Sequence, residues 1–546
     1  MLSTFESNFI SMRLSPFILF VLSFVYTTIN AQSGQTIYIS GKNILGPCGD
    51  TLILRGVNYA PYNWGWSPSQ LNISQIALSG ANAVRLVWYK NPTGSTPIST
   101  YGNLTNLDSL LSKCIQNNLI PILDLHDQTC QNSPSALITL ANWYTQAPVL
   151  ALINKYKHSL IINIANEVLY VNWTGNAAAA QTTYTNTYTG IVNTLRNAGI
   201  TVPLMIDAPD CGTNLSVLSA VGNTLQTNDP LHKLIFSAHA YWYSYANNDS
   251  LQMLSLINTA VAQNIPFLFG EIANSQDDVS MCQYALNYSA LLNICKTKKV
   301  GWLAWSWDND GCPSRQVTTA GNFNSLTAYG NEIINNPSFG LLTNPPAKSQ
   351  YLNGGCRFTT KAFLSGYYIG SQTMQNVLFL QNVSLSPSSQ TDTVAIALHQ
   401  ANSPYNKVYE TKAILLTNGI VSVPVPLLYI GNNYFISIKH RNSLQTWSAS
   451  PVQINANTLY NFSVAASKAY GNNQVLISPN VWGIYAGDIN QDENIDLIDT
   501  SLLENDIANY LSGYKATDIN GDGNVDLLDA PMVEGNVTNF IYSVHP

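Results

Sequence analysis

The chain has 546 residues, a formal net charge of −7 and only 10% charged residues, set against 30 tyrosines and 11 tryptophans. So few lysines and arginines in an acidic chain argue against a nucleic-acid partner, whose binding rests on neutralising phosphates. Many aromatic rings among few charges suit neutral, ring-shaped ligands, and the length calls for more than one hydrophobic core.

Residues 1–31 carry an apolar stretch, Phe17 to Tyr26, behind Arg13, with a small residue at Ala31. This pattern reads as a secretory signal peptide, so the mature protein is expected to be secreted, extracellular and free of the membrane after cleavage. The cysteines at 48, 114, 130, 211, 282, 295, 312 and 356 show no zinc-type spacing. Export makes disulfides the expectation, with the pairing left open.

From Thr51 to Trp307, apolar strands recur roughly every 35 residues, at 52–58, 83–89, 119–127, 160–167, 202–209, 234–242, 265–272 and 300–307. Helix-like patterns lie between them; Leu104, Leu107, Leu110, Leu111, Cys114 and Ile115 recur at helical spacing before an Asn117-Asn118 stop. Eight alternating units predict an α/β fold, a (β/α)8 TIM barrel over residues 32–338, whose site would lie at the C-terminal ends of the strands. The segment before the first strand reads as a hairpin plugging the other end. Asn58, Arg85, His126, Asn166, Glu167, His239, Tyr241, Glu271 and Trp305 all fall at or near those C-terminal ends. In particular, Ser159 to Glu167 reads as a strand buried on both faces that ends in Asn166 and Glu167. Glu167 and Glu271 can then face each other across the mouth, as the two carboxyl groups of a retaining glycosidase must.

The phrases IINIANE, GEI after an apolar strand, LDLHD, HAYWY and GWLAWSW, together with the strand-two arginine, resemble clan A glycoside hydrolases of family 5 from about Thr36 to about Asn336. The resemblance implies Glu167 as acid/base, Asn166 on the sugar 2-hydroxyl and Glu271 as nucleophile. It further implies that Arg85, His126, His239 and Tyr241 orient the carboxylates and the sugar, and that Trp305 is the stacking platform. No cofactor is implied in the barrel. IINIANE, LRNAGI, LMIDA and VGWLAWSW look most like the bacterial endo-β-1,4-mannanases of that family, which also contains cellulases. Two departures stand against the mannanase pattern: Pro209-Asp210-Cys211 where those enzymes carry an aromatic residue, and Ile272-Ala273-Asn274 after the nucleophile. The expectation is a retaining endo-hydrolase of β-1,4-linked polysaccharide, mannan favoured. The alternatives are an endo-β-1,4-glucanase or a carbohydrate-binding protein without turnover.

Residues 339–356 read as a Pro- and Asn-rich linker. Residues 357–480 carry short alternating strands such as TVAIALH, IVSVPVP and YFISIKH and read as a β-sandwich. Its Tyr367 and Tyr368, with Trp447 and Trp482, are candidates for sugar contact, a spacer with an aromatic core being the favoured reading. In residues 485–546, GDINQDENIDLID and TDINGDGNVDLLD repeat at an offset of 30 residues. Oxygen-bearing side chains recur at the ligand positions of a calcium loop: Asp488, Asn490, Asp492, Asp496 and Asp499, then Asp518, Asn520, Asp522, Asp526 and Asp529. Glu493 stands where the first loop would carry glycine. The pair resembles a dockerin, a small α-helical module that holds structural Ca2+, and the resemblance implies a cohesin-type scaffold as partner; a purely structural role is the alternative.

Overall fold

The computed structural model describes residues 36–61, 72–90, 102–241, 245–276, 281–383, 387–456 and 458–546. The segment read as a signal peptide lies outside them. Eight parallel strands close into a barrel: β1 (Arg55–Tyr59), β2 (Ala83–Trp88), β3 (Ile120–Leu125), β4 (Ile161–Asn163), β5 (Leu204–Asp207), β6 (Leu234–His239), β7 (Phe267–Ile272) and β8 (Gly301–Ala304). Strands β2 to β8 are buried along their whole length, covered by helices outside and by each other inside, which is why they read as continuous apolar runs. The helix Leu104–Gln116 buries Leu107, Leu110, Leu111 and Cys114 and is capped by the Asn103 side chain, which accepts from Asn106 N.

Strand four is shorter than the apolar run that announced it. It ends at Asn163, and Glu167 has a left-handed φ of 54°. In a regular strand, successive side chains alternate faces, so Asn166 and Glu167 would point to opposite sides. Leaving the strand geometry turns both toward the mouth, while Ile164 N and Asn166 N still bond Met205 O and Leu125 O.

At the opposite end, three short antiparallel strands, Tyr38–Ser40, Asn43–Leu45 and Thr51–Leu52, form the plug. Its Ile37, Ile39, Ile44 and Leu52 pack on Ile120, Ile161, Met205, Leu268 and Leu303 at the base of the barrel. Residues 339–356, read as a linker, are instead a packed strap. Phe339 and Leu341 are fully buried, Arg55 Nη2 donates to Asn344 O at 2.5 Å, Asn82 Nδ2 to Ala347 O at 2.9 Å, and Gln350 N to Asp50 Oδ2 at 3.0 Å. Proline and asparagine mark a chain that forms no regular element, and such a chain can still be held along a surface. A disulfide, Cys48–Cys356, ties the plug to the end of the strap.

Beyond the strap, a three-stranded sheet (Ile420–Pro424, Arg357–Lys361, Leu459–Asn461) faces a larger antiparallel one built on Gln390–Gln400, Lys407–Leu416, Asn433–His440 and Ser443–Trp447. Phe358, Val394, Ile396, Val421, Val423 and Ile436 fill the space between. Tyr367 is buried, and Trp447 is 6% exposed with its ring packed against His399 and His545, so both serve the core. The C-terminal helices Leu497–Ala508 and Ala530–Thr538 enclose Ile495, Leu503, Ile519, Val525 and Val533, and Leu444 of the sandwich joins that core. Asn442 Nδ2 donates to Asp518 O at 3.0 Å and Tyr514 Oη donates to Asp392. The last module is therefore seated on the sandwich.

The two acidic loops fold alike. Asp499 accepts from Ile489 N, Asn490 N and Asp496 N, and Asp529 from Ile519 N, Asn520 N and Asp526 N. They differ at their first residue. Asp518 accepts from Gly521 N and Gly523 N, whereas Asp488 is buried with neither side-chain oxygen hydrogen-bonded. Burial, then the neighbouring Asp499, pushes the Asp488 carboxyl up to about 7.

Candidate active site

Register places the first contacts. Asn58 on β1 pairs with Arg85 on β2, and Glu271 on β7 pairs with His239 on β6. Gly270 permits the second pairing: a Cβ there would come within 2.3 Å of Ser237 Oγ and 2.9 Å of His239 Nε2.

Arg85, fully buried, spreads its guanidinium across the mouth. Nη1 donates to Glu271 Oε1 at 2.8 Å and Asn58 Oδ1 at 3.1 Å, Nε to Asn163 Oδ1 at 2.8 Å, and Nη2 to Asn166 Oδ1 at 2.6 Å. Asp124 Oδ1 lies 3.1 Å and Asp207 Oδ2 3.5 Å from Nη2. Burial by itself would favour loss of the Arg85 proton, but Asp124, Glu271, Asp207 and Glu167 hold the guanidinium firmly charged. Such a charge without partners could not remain at the core of the barrel.

Glu271 receives a second donor, Tyr241 Oη, on Oε2 at 2.8 Å. Glu167 Oε1 lies 2.6 Å from His239 Nδ1, and Asp207 Oδ2 accepts Glu167 N at 3.2 Å. Carboxylate oxygens of Glu167 and Glu271 come within 4.8 Å of each other, with His239 between them. Burial raises the pKa of both: Glu167 is pushed up to about 8, and the rise at Glu271 is opposed by His239 and Arg85. His239 is held below the usual histidine range by burial. At His126 burial acts in the same direction, but its Nδ1 sits 2.7 Å from Asp124 Oδ2 and the net shift is upward. Asn166 directs its Nδ2 to Thr129 Oγ1 at 3.1 Å and lies 3.4 Å from His126 Nε2. Trp305, 7% exposed, lies nearly parallel to His126 at 5.8 Å and donates its indole N–H to Asp310. All nine side chains singled out at the strand ends thus belong to one contiguous cluster.

Comparison with known proteins follows the same lines. Residues 45–311 match the family described as Cellulase (glycosyl hydrolase family 5). A mannan endo-1,4-beta-mannosidase of Cellvibrio japonicus is 31% identical over 326 residues, covering 58% of this chain and 69% of the relative. The chain belongs to glycosyl hydrolase family 5. A second relative, the mannan endo-1,4-beta-mannosidase of Salipaludibacillus agaradhaerens, is 27% identical over 54% of this chain and 90% of its own length. The catalytic domain of a mannanase from Streptomyces sp. SirexAA-E shares the fold, with a TM-score of 0.50 and 23% identity over 58% of this chain and 95% of that one. Residues 486–538 match the dockerin type I domain.

Several groups in this family 5 site were not singled out from the sequence. Asp124 and Asp207 lie inside the phrases LDLHD and LMIDA, where nothing separates a counter-charge from a strand residue. Asp310 accepts from Trp305 and forms two bonds with Arg315, Nε to Oδ1 at 2.9 Å and Nη2 to Oδ2 at 2.8 Å; the Arg315 guanidinium lies 5.7 Å from the Tyr241 ring centre. The residues that depart from the mannanase pattern also have work here. Asp210 accepts from Val171 N, Asn172 N and Trp173 N at 2.7, 3.0 and 3.2 Å, tying down the loop that follows Glu167, and Cys211 forms a disulfide with Cys130.

Proposed function

We propose that this family 5 enzyme is an endo-β-1,4-mannanase that retains anomeric configuration, with Glu271 as nucleophile and Glu167 as acid/base. One observation carries the reading: two buried carboxyl groups with oxygens within 4.8 Å and unlike partners. Carboxyl groups this close admit attack by one carboxylate on the anomeric carbon and leave little room for the water that an inverting pair activates. Arg85 and Tyr241, donating to opposite oxygens of Glu271, favour its ionised, attacking form. Among the described residues Glu167 has no arginine or tyrosine donor, and its burial keeps it protonated and able to deliver a proton to the departing glycosidic oxygen. With the leaving sugar gone, the same group takes a proton from water, and the water attacks the glycosyl ester on Glu271. Asn166, fixed by Arg85, presents its amide to the 2-hydroxyl of the bound sugar, and Trp305, braced by His126 and Asp310, lies under the ring.

Mannan is favoured because both named relatives with broad coverage are mannan endo-1,4-beta-mannosidases. Mannose and glucose differ in one hydroxyl, a difference read by one or two hydrogen bonds. Reducing-sugar release from pure mannan and carboxymethyl cellulose tests the substrate, and the first anomer seen by proton NMR tests retention. Cleavage of the cellulose derivative alone would reassign the enzyme to the glucanases, and a first-formed inverted anomer would remove the nucleophile.

The C-terminal module is read as a calcium-holding anchor for a cohesin-type partner. Each loop offers only hard oxygen ligands, which suits Ca2+, and the buried, unpaired carboxylate of Asp488 is the feature a cation would satisfy. In the first loop Asp488, Asn490, Asp492, Asp496 and Asp499 would hold it. In the second the set is Asp518, Asn520, Asp522, Asp526 and Asp529. The ion would supply charge neutralisation there and take no part in hydrolysis. Secretion accords with polysaccharide as substrate and with the three disulfides.

A further inference from the structure

The Cys130–Cys211 disulfide joins the loops that follow β3 and β5, and both half-cystines have left-handed φ, 56° and 52°. Cys130 Sγ lies 3.2 Å from Glu167 Oε2, and His239 Nδ1 occupies the other oxygen, Oε1. Gly212, next to the bridge, has φ 74°, and a Cβ there would come within 2.8 Å of the His239 ring. The bridge therefore packs on the carboxyl group, and Gly212 beside it packs on the histidine that orients that group. The remaining charged or titratable groups among the described residues that face Glu167 are Asp207, Arg85, Asp124, His126, Glu271 and Tyr241. Among the described residues, none of these donates to Oε2. A half-cystine sulfur carries no proton and cannot donate either.

We propose that the Cys130–Cys211 disulfide is a positioning group for the acid/base: it covers the Oε2 side of Glu167 with a non-donor, so that the carboxyl group's own proton stays on Oε2, ready for the leaving group. The proposal rests on Glu167 being the acid/base. A donor at the same place would bond the carboxylate, favour its ionised form and withdraw the acid. The elevated proton affinity of Glu167, due first to burial, agrees with a site kept free of such donors.

The test compares four full-length proteins: wild type, Cys130→Ala/Cys211→Ala, Cys130→Ser/Cys211→Ala and Cys130→Ala/Cys211→Ser. For each, kcat/KM is followed against pH on mannan and on an aryl β-mannoside whose leaving group needs no protonation. A serine hydroxyl at 130 should lower the alkaline limb on mannan by about one pH unit, roughly fivefold in rate at pH 8. The double-alanine protein and the protein with serine only at 211 should keep the wild-type limb to within about 0.3 unit. No variant should shift the limb on the aryl substrate. Equal shifts in all three variants, or none in any, would reduce the bridge to a tie between loops. Should the serine protein not fold, a displaced limb in the double-alanine protein would overturn the proposal and an unchanged one would support it. Full mannan turnover by Glu167→Gln would instead overturn the acid assignment on which the proposal rests.

Discussion

The phenol of Tyr241 donates to Glu271 Oε2 at 2.8 Å, on the oxygen opposite the one held by Arg85. In the proposed mechanism the two donors keep a buried carboxylate ionised and aimed, so removing the phenol should cripple the enzyme without emptying the site. Tyr241→Phe should lower kcat/KM on mannan roughly 10- to 100-fold, the value of one charge-assisted bond. Its melting temperature should change little, because Arg85 remains. A loss below threefold would mean that the phenol does not support the nucleophile.

Arg85→Lys tests the other donor. A lysine offers one ammonium where the guanidinium reaches Glu271, Asn58, Asn163 and Asn166 and stands beside Asp124 and Asp207. Buried carboxylates would lose their partner, with an expected destabilisation of about 3 to 5 kcal/mol. Chemical denaturation measures it. Full stability would show the guanidinium network to be energetically idle.

The position of Arg85 was legible because the site of a barrel lies at one end of its strands, and an arginine in an otherwise apolar strand has few other reasons to be there. The same logic found His239, Glu271 and Glu167. It did not find Asp124 and Asp207, since a polar residue inside an apolar run reads equally as a slip in the pattern. The length of β4 was misread for a related reason: an apolar run reports burial, and Ile164 and Ala165 are buried without strand geometry. Disulfide pairing was beyond reach, because Cys130 and Cys211 meet only once two loops are placed over the same mouth.

Titration of Glu167 links activity and stability. With its pKa at about 8, hydrolysis of polymer should fall as pH rises through that value, while an activated aryl substrate is spared in its first step. The folded-state pKa exceeds the ordinary 4.5. The associated stability is therefore fully present below about 4.5 and is lost as pH climbs through about 8. Glu167→Gln removes this dependence. Its melting temperature relative to wild type should be higher at pH 8.5 than at pH 5, while mannan turnover is abolished. An advantage that does not grow with pH would place the proton elsewhere.

In the first acidic loop Glu493 has φ 73°, a conformation that costs a side chain about 1 kcal/mol; Gly523 takes the matching place in the second loop. Glu493→Gly should tighten Ca2+ binding at the first loop about fivefold, read by calorimetry. Chelation should lower the melting temperature of the C-terminal module and leave mannan hydrolysis within about twofold, since among the described residues no loop side chain bonds to the cluster around Arg85. Loss of activity on chelation would contradict the separation of the two sites.

The Cys48–Cys356 bond joins the plug under the barrel to the strap that enters the sandwich, and the sandwich in turn carries the C-terminal module. A pull applied at that module would run through the sandwich into a covalent staple at the closed end of the barrel. The load path ends on the side opposite Glu167 and Glu271. An enzyme dragged along a fibre would then bear tension in its foundation, and the few tenths of an ångström on which its chemistry depends would lie outside the stressed frame.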